Sequence, residues 1–96
     1  MKFMQIMEYK TAKFDELNKL MDAWLAQTEG KRAAAQGITG RDREEPDKYL
    51  DVIVFPSYEE AMRNSGLPET QSLAEKMMEL CQGAVTFHNL DVVRED

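Results

Sequence analysis

The strongest constraint on this chain is a pair of strand-like runs that are apolar on both sides. Side chains alternate across a strand, so residues 2–9 (KFMQIMEY) split into Met4, Ile6 and Glu8 against Phe3, Gln5, Met7 and Tyr9. Residues 49–55 (YLDVIVF), closed by Pro56, split into Leu50, Val52 and Val54 against Tyr49, Asp51, Ile53 and Phe55. A sheet with one wet face alternates apolar with polar residues. These runs do not, so both faces of their sheet are expected to be covered. The aliphatic set is the expected helix-packing face, which leaves the aromatic set, with Phe87, as the open face. At ~1.5–3 kcal/mol per large side chain, exposing that set would forfeit roughly 10 kcal/mol, comparable with the net stability of a domain. A second copy of the chain is the simplest cover, giving a homodimer through the open sheet face. With only 96 residues to build a core, association helps.

Beyond the first run the period changes. Phe14, Leu17, Leu20, Met21, Trp24 and Leu25 form one stripe of an amphipathic helix, with Thr11 as the expected N-cap, Asp15 and Glu16 in the first turn and Gly30 as the stop. Residues 32–43 (RAAAQGITGRDR) are read as a strand, joined through the charged turn 44–48 to the run 49–55 as a hairpin. Ser57-Tyr58-Glu59-Glu60 has capping-box form and opens a short helix through Asn64, which Gly66 and Pro68 break. A further helix carries Leu73, Met77, Leu80 and Cys81 on one face and ends at Gly83. In the last strand, residues 84–93, Val85 and Phe87 share one face while Leu90 and Val92 share the other, which predicts a bulge or a change of packing partner near His88 and Asn89. The order β-α-β-β-α-β, with the second helix interrupted, is the ferredoxin-like α+β arrangement: a four-stranded antiparallel sheet with its helices on one face. No linker or repeat divides residues 1–96, so one domain is expected.

The formal net charge of -6, and the lack of any basic cluster longer than Lys31-Arg32, argue against a nucleic-acid partner. Cys81 is the only cysteine and His88 the only histidine, so neither an internal disulfide nor a metal-ligand spacing is available, and no cofactor motif is present. Without a signal peptide or a run long enough to span a bilayer, no membrane association is expected and the cytoplasm is the default compartment.

The element order and the run Val54-Phe55-Pro56-Ser57-Tyr58-Glu59-Glu60-Ala61-Met62 resemble the dimeric α+β barrel superfamily. The run is similar to the strand-to-helix passage of its antibiotic-biosynthesis-monooxygenase-like branch. The resemblance implies two sheets packed face to face around small-molecule pockets, in some members with cofactor-free oxygenation of polyphenols and in others with haem degradation. Haem-degrading members place a histidine on the second helix. This chain has none there.

His88, the one side chain here of the type that ordinarily exchanges protons near neutral pH, is the first candidate for proton transfer; the bland alternative is a rim histidine facing water. Gln5 and Asp51 lie among aromatics and need partners, either each other, water or a ligand. Tyr9, Tyr49 and Asn89 could orient a phenolic ligand, and the tyrosines serve equally well as interface aromatics. Small residues at Ala33, Ala35 and Gly37 leave room for a ligand or for close backbone approach. Met21, Met77, Met78 and Cys81 read as adaptable core. Two functions are compatible with these residues: a cofactor-independent monooxygenase acting on aromatic or polyketide-like substrates, and a non-enzymatic ligand-binding or stress-related assembly protein of the same fold.

Overall fold

In the computed structural model, which describes Met1–Asp96, the doubly apolar runs are the two central strands of the sheet. They are β1 (Phe3–Lys10) and β3 (Lys48–Phe55), paired antiparallel in a register that sets Phe3 opposite Phe55, Met7 opposite Asp51 and Tyr9 opposite Tyr49. The edges are β2 (Gln36–Arg41), beside β3, and β4 (Thr86–Asp91), beside β1, for a strand order β2-β3-β1-β4. Helices α1 (Phe14–Gln27), α2 (Tyr58–Ser65) and α3 (Pro68–Leu80) complete a β-α-β-β-α-α-β chain. The interruption of the second helical segment is real. Gly66 is the C-cap of α2, and Pro68, whose missing N–H is no loss in a first turn, opens α3.

The serine half of the capping box forms, Ser57 Oγ accepting from the Glu60 N–H at 3.1 Å, while the Glu60 carboxylate turns to Arg63 instead, accepting from Nη2 at 2.7 Å. Thr11 does not cap α1. Lys13 holds the N-cap position, and Thr11, fully buried, instead donates from Oγ1 to the Leu80 carbonyl at 2.7 Å, pinning the end of α3 to the β1–α1 turn. The second strand is shorter than expected and excludes the three alanines. Ala33 is buried ahead of it, its N–H donating to Asn64 Oδ1 at 3.1 Å, so only Gly37 of the small-residue set lies in the strand.

Two expectations are overturned. The helices cover the aromatic face, not the aliphatic one: Phe3 and Phe55 pack on Ala33 and Ala61, while Tyr9 and Tyr49 pack on Leu17 and Met77. Small residues on the covering segments leave depth that rings fill and short aliphatic chains would not. The open face is therefore the aliphatic one, with Met4, Ile6, Leu50, Val52 and Val54 half-buried and Ile38 and Leu90 exposed by 74% and 40%. The bulge is also absent. Residues 86–91 pair with β1 without a break, from Thr86 opposite Glu8 to Asp91 opposite Phe3. Phe87 faces the helices and Leu90 the open face, and both faces accept apolar side chains, so no slip of phase is needed.

Candidate functional site: a cavity between sheet and helices

Beneath α1 and α3 the covered face is incompletely filled, leaving a cavity of about 240 Å³. Its floor is Gln5, Met7, Ile53, Phe55 and Phe87; its walls are Met21 and Trp24 of α1, Asn64 at the end of α2, and Thr70, Leu73 and Met77 of α3. An apolar cavity of ~150 Å³ accommodates benzene. This larger one suits a ligand of one or two aromatic rings.

Few polar groups line it, and their hydrogen bonds are largely decided. The Trp24 indole N–H donates to Thr70 Oγ1 at 3.0 Å, linking α1 to α3, and leaves the Thr70 hydroxyl free to donate onward. The Arg32 guanidinium lies 6.0 Å from the centre of the Trp24 ring, within cation–π range. Asn64 is only 8% exposed. The Ala33 N–H needs an acceptor, which fixes the amide with Oδ1 on Ala33 and leaves Nδ2 without a protein partner. No fully buried side-chain nitrogen or oxygen in the chain lacks a partner, so Nδ2 reaches accessible space, where it can donate to a ligand oxygen. Gln5 Nε2 donates to Asn89 Oδ1 at 3.1 Å at the sheet end of the cavity.

A second polar cluster lies in the same sheet row as Met7 and Phe87. Asp51, 6% exposed, accepts on Oδ1 from the Tyr9 hydroxyl at 2.9 Å and the Thr39 hydroxyl at 2.8 Å, so one carboxylate ties three strands together. Burial pushes the Asp51 carboxyl above its ordinary value, against the opposing pull of the Thr39 and Tyr9 hydroxyls. Burial, then the Asp51 charge and its hydrogen bond, push the Tyr9 phenol well above its own. Tyr49 stacks between Phe14, at 4.4 Å, and Tyr9, at 5.9 Å between centroids.

A stability prediction follows from Tyr9. Folded, it keeps its proton where the unfolded chain loses it, so its contribution is complete below pH ~10 and falls by about 1.4 kcal/mol per pH unit above that. Urea unfolding on the alkaline side should show this slope in the native chain and lose it in Tyr9→Phe. An unchanged slope in the variant would assign the alkaline loss to other groups.

Of the residues singled out from sequence, Tyr9, Asp51 and Tyr49 are brought into one cluster, and Gln5 and Asn89 bond to each other. His88 is elsewhere: exposed, opposite Ile6 on the open face, with the sheet between it and the cavity. Sequence reasoning missed Trp24, Asn64 and Thr70. For Asn64 a signal existed, a polar residue three after Ala61 on the buried face of a short helix.

No helix is long and apolar enough to cross a membrane. By sequence, the chain matches no family model and no curated protein. Solved structures do match. An antibiotic-biosynthesis-monooxygenase-like protein from Caulobacter crescentus superposes with a TM-score of 0.82 at 18% identity, over 97% of this chain and 91% of that one. SnoaB, a cofactor-independent oxygenase from Streptomyces nogalater, superposes with a TM-score of 0.81 at 10% identity, over 98% of this chain and 95% of that one. What is shared at such identities is the architecture: this chain has the ferredoxin-like α+β fold of the antibiotic-biosynthesis-monooxygenase-like structures.

Proposed function

We propose that this protein is a homodimer that binds a one- or two-ring, oxygen-bearing aromatic or polyketide-like molecule between sheet and helices and oxygenates it without a cofactor. The observation that carries the reading is Asn64, whose Nδ2 has no protein partner, in the wall of a mostly apolar cavity. In such chemistry the ligand, once deprotonated to a phenolate or enolate, supplies the electrons to dioxygen. An activated ring CH₂ becomes a carbonyl carrying one oxygen atom, and the other leaves as water. The protein contributes a dry pocket, and the Asn64 N–H steadies the ring oxygen as negative charge develops on it. The likeness in fold to SnoaB supports this reading.

One observation favours simple binding instead: none of the residues lining the cavity is ionisable. The two readings separate in one experiment. Trp24, the only tryptophan, lies in the cavity wall, so its fluorescence reports occupancy while an oxygen electrode reports turnover. With dihydroxynaphthalene- and anthrone-type compounds, oxygenation requires quenching together with oxygen uptake above the spontaneous rate. Quenching without uptake assigns binding alone. Neither signal would end both readings.

A further inference from the structure

The cavity contains no base of its own, yet a buried carboxylate lies one sheet position from its floor: Asp51 sits between Thr39 and Met7 in the register, two residues before Ile53. No cation pairs with Asp51, and an unpaired buried carboxylate is expensive to keep. Both hydroxyl donors converge on Oδ1. Oδ2 has no donor from the protein, and it too must reach accessible space, since no fully buried side-chain oxygen lacks a partner. The Asp51 side chain borders a niche of about 20 Å³, lined also by Tyr9, Thr39, Asn18, Met21 and Met77. A volume of ~10–15 Å³ with polar partners is enough for one water. Met21 and Met77 form the partition between niche and cavity, and both line the larger space. Unbranched methionines are the side chains most able to move aside.

The geometry points to Asp51 as the proton acceptor of the cavity, taking the proton of a ligand's phenolic or enolic hydroxyl through a single water held in the niche. The inference rests on the reading of the cavity as a site for oxygen-bearing aromatics. The hydroxyl gives its proton to the water, the water gives one to Oδ2, and the ligand is left as the phenolate or enolate with its electron pair on oxygen. Asp51 acts through the water and does not touch the ligand. The titratable groups that feel its charge are the Tyr9 phenol and the Cys81 thiol, each held more firmly protonated by burial first and by that charge second, so neither competes as acceptor. Thr39 and Asn18 offer only neutral groups.

The test compares naphthol with its methyl ether, which has the same rings and no proton to give, by quenching of Trp24 from about pH 4 to about pH 8, where free naphthol stays protonated. A charge-assisted hydrogen bond is worth about twice a neutral one, so naphthol affinity should fall about tenfold in all as Asp51 protonates. The methyl ether should show no such fall, and Asp51→Asn should bind naphthol with no pH dependence. Thr39→Val, at an exposed edge position, removes a hydroxyl that favours the carboxylate, so it should move the midpoint of the naphthol profile to higher pH. That readout does not depend on Asp51→Asn folding, and a merely structural role for Asp51 would not move it. Equal profiles for naphthol and its ether, a slope retained in Asp51→Asn, or an unmoved midpoint in Thr39→Val would overturn the assignment. Absence of quenching by either compound would overturn the cavity reading, a distinct result.

Discussion

Val52→Asp should turn a particle near twice the chain's 11.1 kDa into a folded monomer at micromolar concentration, as read by light scattering. Val52 is at the middle of the open face, flanked in register by Ile6 on β1 and Ile38 on β2. Around it Met4, Leu50 and Val54 are only half-buried in a single chain. Charge lies at the ends of this face, where Glu8 pairs with Lys48 at 3.4 Å and Lys10 with Glu45 at 3.2 Å, and at the start of β1 Lys2 pairs with Glu95 at 3.0 Å, so its apolar centre has a polar rim. A desolvated carboxylate without a partner costs several kcal/mol, enough to abolish a micromolar association. Circular dichroism should stay native, because the position is half-open before association. Phe55→Asp should behave differently. Phe55 is 5% exposed and packed with Phe3 on Ala33 and Ala61, so the charge should unfold the chain rather than dissociate it. A native monomer, or a Val52→Asp dimer, would refute the open face as the interface.

Asn64→Asp should lower the oxygenation rate by ~10²–10³, the usual loss when one donor to a developing oxyanion is removed. The substitution is chosen for what it keeps. An Asp oxygen can still accept from the Ala33 N–H, whereas the donating amide nitrogen is replaced by an oxygen that repels a phenolate. The new charge is desolvated, since Asn64 is 8% exposed, and it lies in the last turn of α2 where the helix dipole also disfavours it, so stability should fall by several kcal/mol and the rate is compared at a temperature where circular dichroism shows the variant folded. Assayed near pH 8, above the ordinary carboxylate range, the side chain has the least chance to donate a proton of its own. An unchanged rate in Asn64→Asp would remove Asn64 from the site. A lost rate with a lost fold would be met by Thr70→Val, which deletes another free donor of the cavity and leaves Asn64 on Ala33.

The chemistry that sequence reasoning placed on His88 and Asn89 divides between the two sides of the sheet. Adjacent residues of a strand point to opposite faces, so with an unbroken register Asn89 joins Gln5 on the helix side while His88 joins Ile6 on the open side. Gln5, Tyr9, Tyr49 and Asp51 share one face in the sequence and in the fold, because alternation carries that information directly. Their hydrogen bonds were not legible. Asp51 meets Tyr9 and Thr39 only because β3 lies between β1 and β2.

What local sequence determined by itself is what short-range chemistry controls. Alternation and β-branching make β1 and β3, the apolar stripe makes α1, Ser57 and Glu60 start α2, and Pro68 starts α3. Tertiary structure alone decided which face of the sheet the helices cover. Period two says which side chains travel together and nothing about what lies opposite them. That choice depends on depth: Ala33 and Ala61, far from Phe3 in the chain, are small enough to take rings against them. The cavity has the same origin. Trp24, Asn64 and Thr70 come from three helices whose separate sequences carry no record of the space that forms when they close over Gln5 and Phe55.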